Sequence, residues 1–356
     1  MILAVSNQKG GCGKTTTAVN LAAALAGFGH RTLLIDLDPQ THASFALGIR
    51  SDRLETTLYN VLTDRPDRRQ FLENVIQPYS ENFDVAPGHV LLSTIEQEFA
   101  DRDQGVDKLR QILEHMAFPY RFVLIDCPPS LGFLTFNALQ AADLVIVPVD
   151  LGSFSLLGVG KLLSMIELIR VKMSHSPRVW ALPTLVDLRS KFAKDMMARV
   201  HEAFNHNLFD RFIRLNVACR EAQALGIPVG LHKPNARAAR DYEELAREIL
   251  RRFPADETPL PAENFPEVKR ARIRDFILQA PSAAGVYLVG DFNGWRISEE
   301  SKLWDCGKGT WQKRVALPPG RYRYKFVIDG TWIPDPANAL AEPNPYGGVD
   351  SILEIE

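Results

Sequence analysis

The stretch NQKGGCGKTTT, residues 7–17, decides how the rest of the chain is read. It follows an apolar segment, ILAVS at 2–6, and runs into TTTAVNLAAALAGF at 15–28, whose apolar positions recur at helical spacing. Strand, glycine-rich loop, Lys-Thr and helix is the context in which successive backbone N–H groups converge on phosphate oxygens. The groups concerned are those of Gly10, Gly11, Cys12, Gly13, Lys14, Thr15 and Thr16. Lys14 then contacts the β- and γ-phosphates of a nucleotide, and the Thr15 hydroxyl ligates Mg2+. Gln8 stands where the strict pattern has its first glycine, and Lys9 is a second lysine at the mouth of the loop. One lysine suffices for a phosphate cradle, so Lys9 needs its own account.

Working outward, residues 1–253 alternate short apolar runs with helix-period stretches. The strand candidates are ILAVSN, TLLIDLD (32–38), FVLIDCP (122–128), DLVIVPVD (143–150) and RVWALPTL (178–185). Helical segments such as VDKLRQILEHMA (106–117) and FAKDMMARVHEAF (192–204) lie between them. Continuous Val/Ile/Leu strands separated by helices predict an α/β doubly wound parallel sheet. Gly29 follows the first helix as a left-handed terminator. The texture changes at PADETPLPAENFPE (254–267), whose four prolines neither a helix nor a central strand accepts. Residues 254–268 read as a semi-extended linker. Beyond it, RIRDFILQ, GVYLVGDF, TWQKRVAL, RYRYKFVI and DSILEIE are short strands between Gly, Pro and Asn turns. Residues 269–356 are therefore expected to form an all-β, immunoglobulin-like sandwich.

The 356 residues carry a net charge of −2, with 46% hydrophobic and 24% charged residues, so no global field drives the chain toward nucleic acid. No apolar run is long enough to span a bilayer, and the N-terminus lacks the pattern of a signal peptide. Cys12, Cys127, Cys219 and Cys306 lie far apart with no metal-ligand spacing. Isolated thiols without an export signal fit a reducing cytoplasm.

The run KGGCGKTTTAVNLAAALA resembles the deviant phosphate loop of the ParA/MinD ATPases, the Soj-like proteins included. The resemblance continues through LLIDLDPQTHAS, FVLIDCPPSLGFLTFNAL, ADLVIVPVD, LPTLVDLRSK and EAQALGIPVG, in order and at normal spacing. It implies a P-loop ATPase that uses ATP and Mg2+ and forms an ATP-bound homodimer, with slow hydrolysis stimulated by a partner protein. It also implies that Lys9 reaches across the dimer to the partner subunit's nucleotide, a cation delivered in trans as an arginine finger is. Asp126, ending the strand FVLID, would hold the Mg2+ water shell. Asp38 matches the family residue that orients or activates the attacking water and faces the metal, whereas Asp36 is expected to be structural. Cys12 replaces a small apolar residue of the family loop. It is expected to pack, although a thiol beside phosphates could make the ATPase sensitive to oxidation.

Family members of the partitioning type bind DNA without sequence preference. Residues 170–253 hold 16 Lys/Arg and 9 Asp/Glu, a local balance of +7. Arg189 aligns with a DNA-contacting arginine, and Ala218 stands where a second one is usual. Arg214 and Arg220 flank that position, and Arg247 with Arg240, Arg251 and Arg252 lies on the last helix. The alternative reading of that helix is a solvated face laced with Glu243, Glu244 and Glu248. The membrane-bound branch would need a terminal basic amphipathic helix, where this chain ends in SILEIE. An iron–sulfur reductase would need cysteines bridging two subunits, and Cys127 is instead the ordinary DCPPS of the partitioning members.

The C-terminal run GVYLVGDFNGW, GTWQKRVALPPGRYRYKFVIDGTWIPDP and GGVDSILEI resembles the glycogen-binding module of the AMP-activated kinase β subunit. The resemblance implies that Trp295 and Trp332 stack on sugar rings and that Lys325 hydrogen-bonds hydroxyls. Tyr346 and Asp350 fall where the family has an aliphatic contact and an asparagine, and a carboxylate cannot donate as an amide does. The alternative reading is that Trp311, with one or both of the other tryptophans, fills a small core. The composite is expected to be a cytoplasmic ATPase that positions a cargo on DNA, with an α-glucan as the cargo the module's resemblance implies. Its rivals are a DNA-independent ATPase switch for polysaccharide metabolism, with the sandwich as sensor or adaptor, and a biosynthetic ATP-dependent ligase.

Overall fold

β1 (Ile2–Val5), the strand ahead of the glycine-rich loop, lies inside a seven-stranded sheet. Its neighbours are β5 (Phe122–Asp126) and β6 (Leu144–Asp150), both parallel to it. β2 (Thr32–Asp36) and β4 (Phe83–Ala86) extend the sheet on the β5 side, and β7 (Arg178–Thr184) on the β6 side. β3 (Gln77–Ser80) pairs antiparallel with β4 and gives the order β3-β4-β2-β5-β1-β6-β7. The structure, a computed structural model, describes residues 1–99, 105–116, 120–152, 155–254, 272–298, 301–317 and 320–355. The chain divides into two units, Met1–Asp256 and Glu257–Glu356. The expected linker, apart from Pro254, lies outside the described residues.

All five strands read from the sequence form, and their alternation explains why each is apolar throughout. Leu3, Val5, Leu34, Phe122, Leu124, Leu144 and Ile146 enter one core. In that core they meet Ala18, Leu21, Ala22 and Leu25 of α1 (Lys14–Gly27) and Tyr242, Leu245 and Ile249 of α11 (Arg237–Arg252). The residues between them, such as Ala4, Leu33, Ile35, Val123, Ile125 and Val145, point to the other face and are also fully or almost fully buried. There α6 (Phe133–Ala141) packs on β1, and α7 (Ser155–Met173) on β6. The remaining helices are α2 (His42–Ala46), α3 (Leu58–Leu62), α4 (Leu72–Val75), α5 (Lys108–Glu114), α8 (Lys191–Phe204), α9 (Val217–Ala224) and α10 (Val229–His232). α1 ends as expected: Gly29 has φ +83°, its N–H meets Ala26 O, and His30 N–H meets Leu25 O. β3 and β4 were not readable as strands. Each has four residues, β3 contains Pro78, and the pair carries a bulge.

The second unit is two antiparallel sheets. β8 (Arg272–Gln279), β10 (Trp304–Asp305) and β11 (Thr310–Leu317) form one, in the order β10-β11-β8. The other holds β9 (Val286–Gly290), β12 (Gly320–Ile328), β13 (Thr331–Ile333), β14 (Ala341–Pro343) and β15 (Val349–Ile355). Phe276, Leu278 and Trp311 from the first meet Leu288, Tyr324 and Phe326 from the second in one core. Among the described residues no helix is long and apolar enough to cross a membrane.

Candidate functional site

Parallel strands feed the site from their carboxyl ends, where open α/β sheets bind ligands. The glycine-rich loop leaves β1, and the strands on either side of it, β6 and β5, together with β2 beyond β5, each end in an aspartate: Asp150, Asp126 and Asp36. The loop itself is built for close approach. Gly11 and Gly13 have φ of +72° and +89°, and nothing lies within 4 Å of where a Cβ on Gly10 or Gly11 would stand. Gly13 is the N-cap of α1 and has no side chain to cover the helix N-terminus. Thr184 at the end of β7 donates its hydroxyl to Cys12 O at 2.7 Å, and Asn7 Nδ2 donates to Pro148 O at 2.7 Å. These two contacts, which the sequence did not signal, hold the loop against β6 and β7. Lys14 is buried, with Nζ donating to Lys9 O at 3.1 Å.

Cys12 is fully buried, its Sγ on Lys9 O at 3.2 Å, and burial raises its thiol pKa. Cys12 therefore packs as expected, and a buried sulfur of raised pKa is a poor nucleophile, which disfavours the alternative of an oxidation-sensitive thiol. Asp126 is wholly buried, and neither carboxylate oxygen has a hydrogen-bond partner. Burial, with the Asp36 carboxylate beside it, pushes Asp126 well above the usual range, against the pull of Thr15 and Lys14. A carboxylate so placed calls for a cation. Together with the open glycine cradle and the Thr15 hydroxyl next to it, this orphaned group shows that the residues fit Mg2+ and a nucleotide polyphosphate.

Asp36 is paired in register with Asp126 and is equally buried, and burial lifts it to about 6. Its Oδ2 accepts from Ser44 N at 2.8 Å and Ser44 Oγ at 2.6 Å, which makes it the structural member of the pair as expected. Asp38 lies past the end of β2, where its Oδ1 accepts Gln40 N–H at 2.9 Å and its carbonyl accepts Thr41 N–H. Lys9 Nζ lies 2.8 and 2.7 Å from the two oxygens of Asp150. Asp150 was missed from the sequence. The available signal was that it ends an apolar strand as Asp126 does.

The structure separates the candidate DNA residues. Arg189 is 90% exposed and forks onto Asp187. Arg220 is exposed on α9. Arg247 lies over the Phe28 ring, 5.0 Å from its centroid, with Glu243 at 4.0 Å. Arg214 grips the buried carboxylate of Asp241, and Arg252 is held by Glu248 and Asp210. Glu248 is not part of a solvated face: it is 1% exposed and accepts the backbone N–H groups of Asp210 and Arg211. Ala218 points into the core shared by α1 and α11, so this backbone does not present that position to solvent.

In the second unit Trp295 and Trp332 come together with ring centroids 6.4 Å apart and planes within 24°. Trp332, 44% exposed, pairs across β13–β12 with Val327, on the face of β12 opposite Tyr324 and Phe326. Lys325 shares that face and reaches Asp350 at 3.1 Å. Asn344, not read from the sequence, donates to Asp350 at 2.7 Å, and Tyr346 beside it is 94% exposed. Trp311 is core as expected, with Nε1 on Ala280 O.

Comparison with known proteins agrees with this geometry. Residues 1–178 match a family model described as an AAA domain, and residues 279–356 one described as the glycogen recognition site of AMP-activated protein kinase. The chain is 36% identical over 249 residues to the sporulation initiation inhibitor protein Soj of Bacillus subtilis, covering 70% of this chain and 97% of Soj. It is 40% identical over 256 residues to the chromosome partitioning protein ParA of Caulobacter vibrioides, covering 70% of this chain and 94% of that protein. Among solved structures it is similar to cobyrinic acid a,c-diamide synthase of Mycobacterium smegmatis with bound ATP analogue and magnesium. That match has a TM-score of 0.60 at 31% identity, over 70% of this chain and 94% of the synthase. The chain belongs to the ParA/Soj family of P-loop ATPases, with ATP and Mg2+ as its cofactors, and carries a C-terminal module of the glycogen-recognition type.

Proposed function

We propose that this ParA/Soj-family ATPase uses ATP to form a sandwich dimer that binds DNA without sequence preference and positions a cargo held by its C-terminal module. The observation that carries the reading is the division of labour between two lysines. Lys14 turns into its own loop, whereas Lys9 stands at the loop's mouth on Asp150. A cation so placed can leave for a partner's phosphates, and ATP state then sets the population of the binding-competent form.

The backbone N–H groups from Gly10 to Thr16 and the Lys14 ammonium would hold the phosphates, and Thr15 and Asp126 the metal and its water shell. Mg2+, when bound, neutralises phosphate charge as the leaving group departs. Asp38, past the end of β2, would orient the attacking water and take its proton. Arg189, Arg220 and Arg247 are exposed cations available for phosphate contacts, with Arg240 and Arg251 also exposed. On the module, Trp295 and Trp332 offer a stacking platform for sugar rings, with Lys325, Asp350 and Tyr346 at its edge. An α-glucan is the cargo this chemistry favours. The dimer would work in the cytoplasm, nucleoid-associated while ATP is bound, with hydrolysis stimulated by a partner protein.

A second reading, an ATPase switch independent of DNA with the module as glucan sensor, is favoured by the engagement of Arg189 and Arg214 with carboxylates. One experiment separates them. Beads carrying non-specific duplex DNA are mixed with the protein and fluorescent maltoheptaose, with ATP or ADP. The positioning reading expects glucan on the beads with ATP alone, and a Trp295→Ala/Trp332→Ala double variant that stays on DNA but drops the sugar. Protein absent from the beads in both states, with intact ATPase activity that responds to glucan, would establish the switch.

A further inference from the structure

The connection from β2 to α2 carries Asp38 and is clamped from two sides by groups that the chemistry above does not use. Ser44, in α2, is fully buried and donates both its N–H and its hydroxyl to Asp36 Oδ2. The same hydroxyl oxygen accepts the N–H of Gly88 at 3.2 Å, from the loop that follows β4. Gly88 is glycine of necessity. A Cβ there would stand 2.6 Å from Asp36 O and 3.2 Å from Asp38 O, so the β4 loop lies directly on the backbone that presents Asp38. At the strand end, Leu37 N–H is held by Asp126 O at 3.1 Å. Between these anchors the chain makes a tight turn at Thr41, a β-branched residue at φ +55° whose N–H meets Asp38 O. Such a conformation persists only where its surroundings impose it.

We propose that Ser44 is a positioning residue for hydrolysis: its hydroxyl joins α2, the end of β2 and the Gly88 loop into one unit, and that unit fixes where the Asp38 carboxylate stands. The inference rests on the role given to Asp38 above. A serine is suited to the joint because its hydroxyl donates to one group while accepting from another. Alanine would leave the Gly88 N–H and one Asp36 lone pair unmatched inside a buried seam, which the loops relieve by moving apart. Displacement of a reacting group by about an ångström is enough to lower turnover by about a hundredfold.

The test is single-turnover ATP hydrolysis by the full chain, with nucleotide affinity measured separately by titration with a fluorescent ATP analogue. Ser44→Ala, Asp38→Ala and the double variant are compared. Ser44→Ala should slow hydrolysis by tenfold to a hundredfold while nucleotide affinity stays within about twofold. Ser44→Thr, which keeps the hydroxyl, should recover a substantial part of the rate. In the Asp38→Ala background, Ser44→Ala should have no further effect, because the residue acts through Asp38. Equal losses from Ser44→Ala with and without Asp38 would overturn the proposal, as would a fall in affinity that matches the fall in rate. Full activity of Asp38→Ala would instead refute the role of Asp38 itself, a failure distinguishable from the first. Gly88→Ala provides an independent check. It pushes on the same backbone from the other side and should reproduce the split between rate and affinity.

Discussion

Replacing Asp150 by asparagine should tighten ATP-dependent dimerisation by about a hundredfold. In the isolated chain the Lys9 ammonium is bound to both oxygens of Asp150, and the two side chains are 30% and 21% exposed. Fully exposed pairs contribute about 0–1 kcal/mol, and two charges at 4 Å near a protein surface attract by about 4 kcal/mol before desolvation. A half-buried, doubly bonded pair falls between these, at about 1.4 kcal/mol net, a factor of ten in an equilibrium constant. If Lys9 must leave Asp150 to reach the partner's phosphates, a two-fold dimer breaks two such pairs, hence the square of that factor. The assay is sedimentation velocity over a protein dilution series, with Mg2+ and a slowly hydrolysed ATP analogue, for Asp150→Asn beside the parent chain. Lys9→Ala should abolish the dimer while retaining nucleotide. An Asp150→Asn dimer no tighter than the parent's would refute the idea that the pair competes with assembly, and a looser one would give Asp150 a supporting role inside the dimer.

Three further outcomes follow from single sites. Burial holds the Lys108 ammonium, beside Asp64, Glu98 and Arg69, at about 8, so the unfolded chain binds the extra proton between about 8 and 10.5. The stability of the parent relative to Lys108→Met should therefore rise with pH across that window, by about 3 kcal/mol; parallel urea-unfolding curves at pH 7.5 and 10.5 would contradict it. Trp332→Ala should weaken maltoheptaose binding by tenfold or more without lowering the melting temperature of the module, whereas Trp311→Ala, in the core, should destabilise it by about 3–5 kcal/mol. Equal melting temperatures for the two variants would reverse that assignment. Cys12 should resist iodoacetamide in the native protein, as followed by mass spectrometry, and labelling at the rate of a free surface thiol would show that the buried geometry is wrong.

What the sequence made legible was whatever depends on near neighbours in the chain. The glycine-rich loop and the five apolar strands each fit within about a dozen residues, and each formed where it was read. Relationships over long separations were not legible. Lys9 and Asp150 stand 141 residues apart, and Ser44 and Gly88 are joined only because β2 and β4 lie side by side. The acidic residues of α11 misled for a related reason. Spacing alone does not say that Asp241 and Glu248, seven apart, face inward to receive the backbone of residues 210–214. The step from a basic region to a DNA surface was likewise out of reach, because spacing does not say that Arg214 is held on the buried carboxylate of Asp241.

The central claim is that ATP converts this chain into a DNA-binding dimer. It is tested most directly by retention on non-specific duplex DNA with ATP or ADP across a salt series. The account predicts retention with ATP alone, falling steeply as salt rises, and lost in Lys9→Ala. Retention that is equal with ATP and ADP, or absent with both while ATP is still hydrolysed, would contradict it.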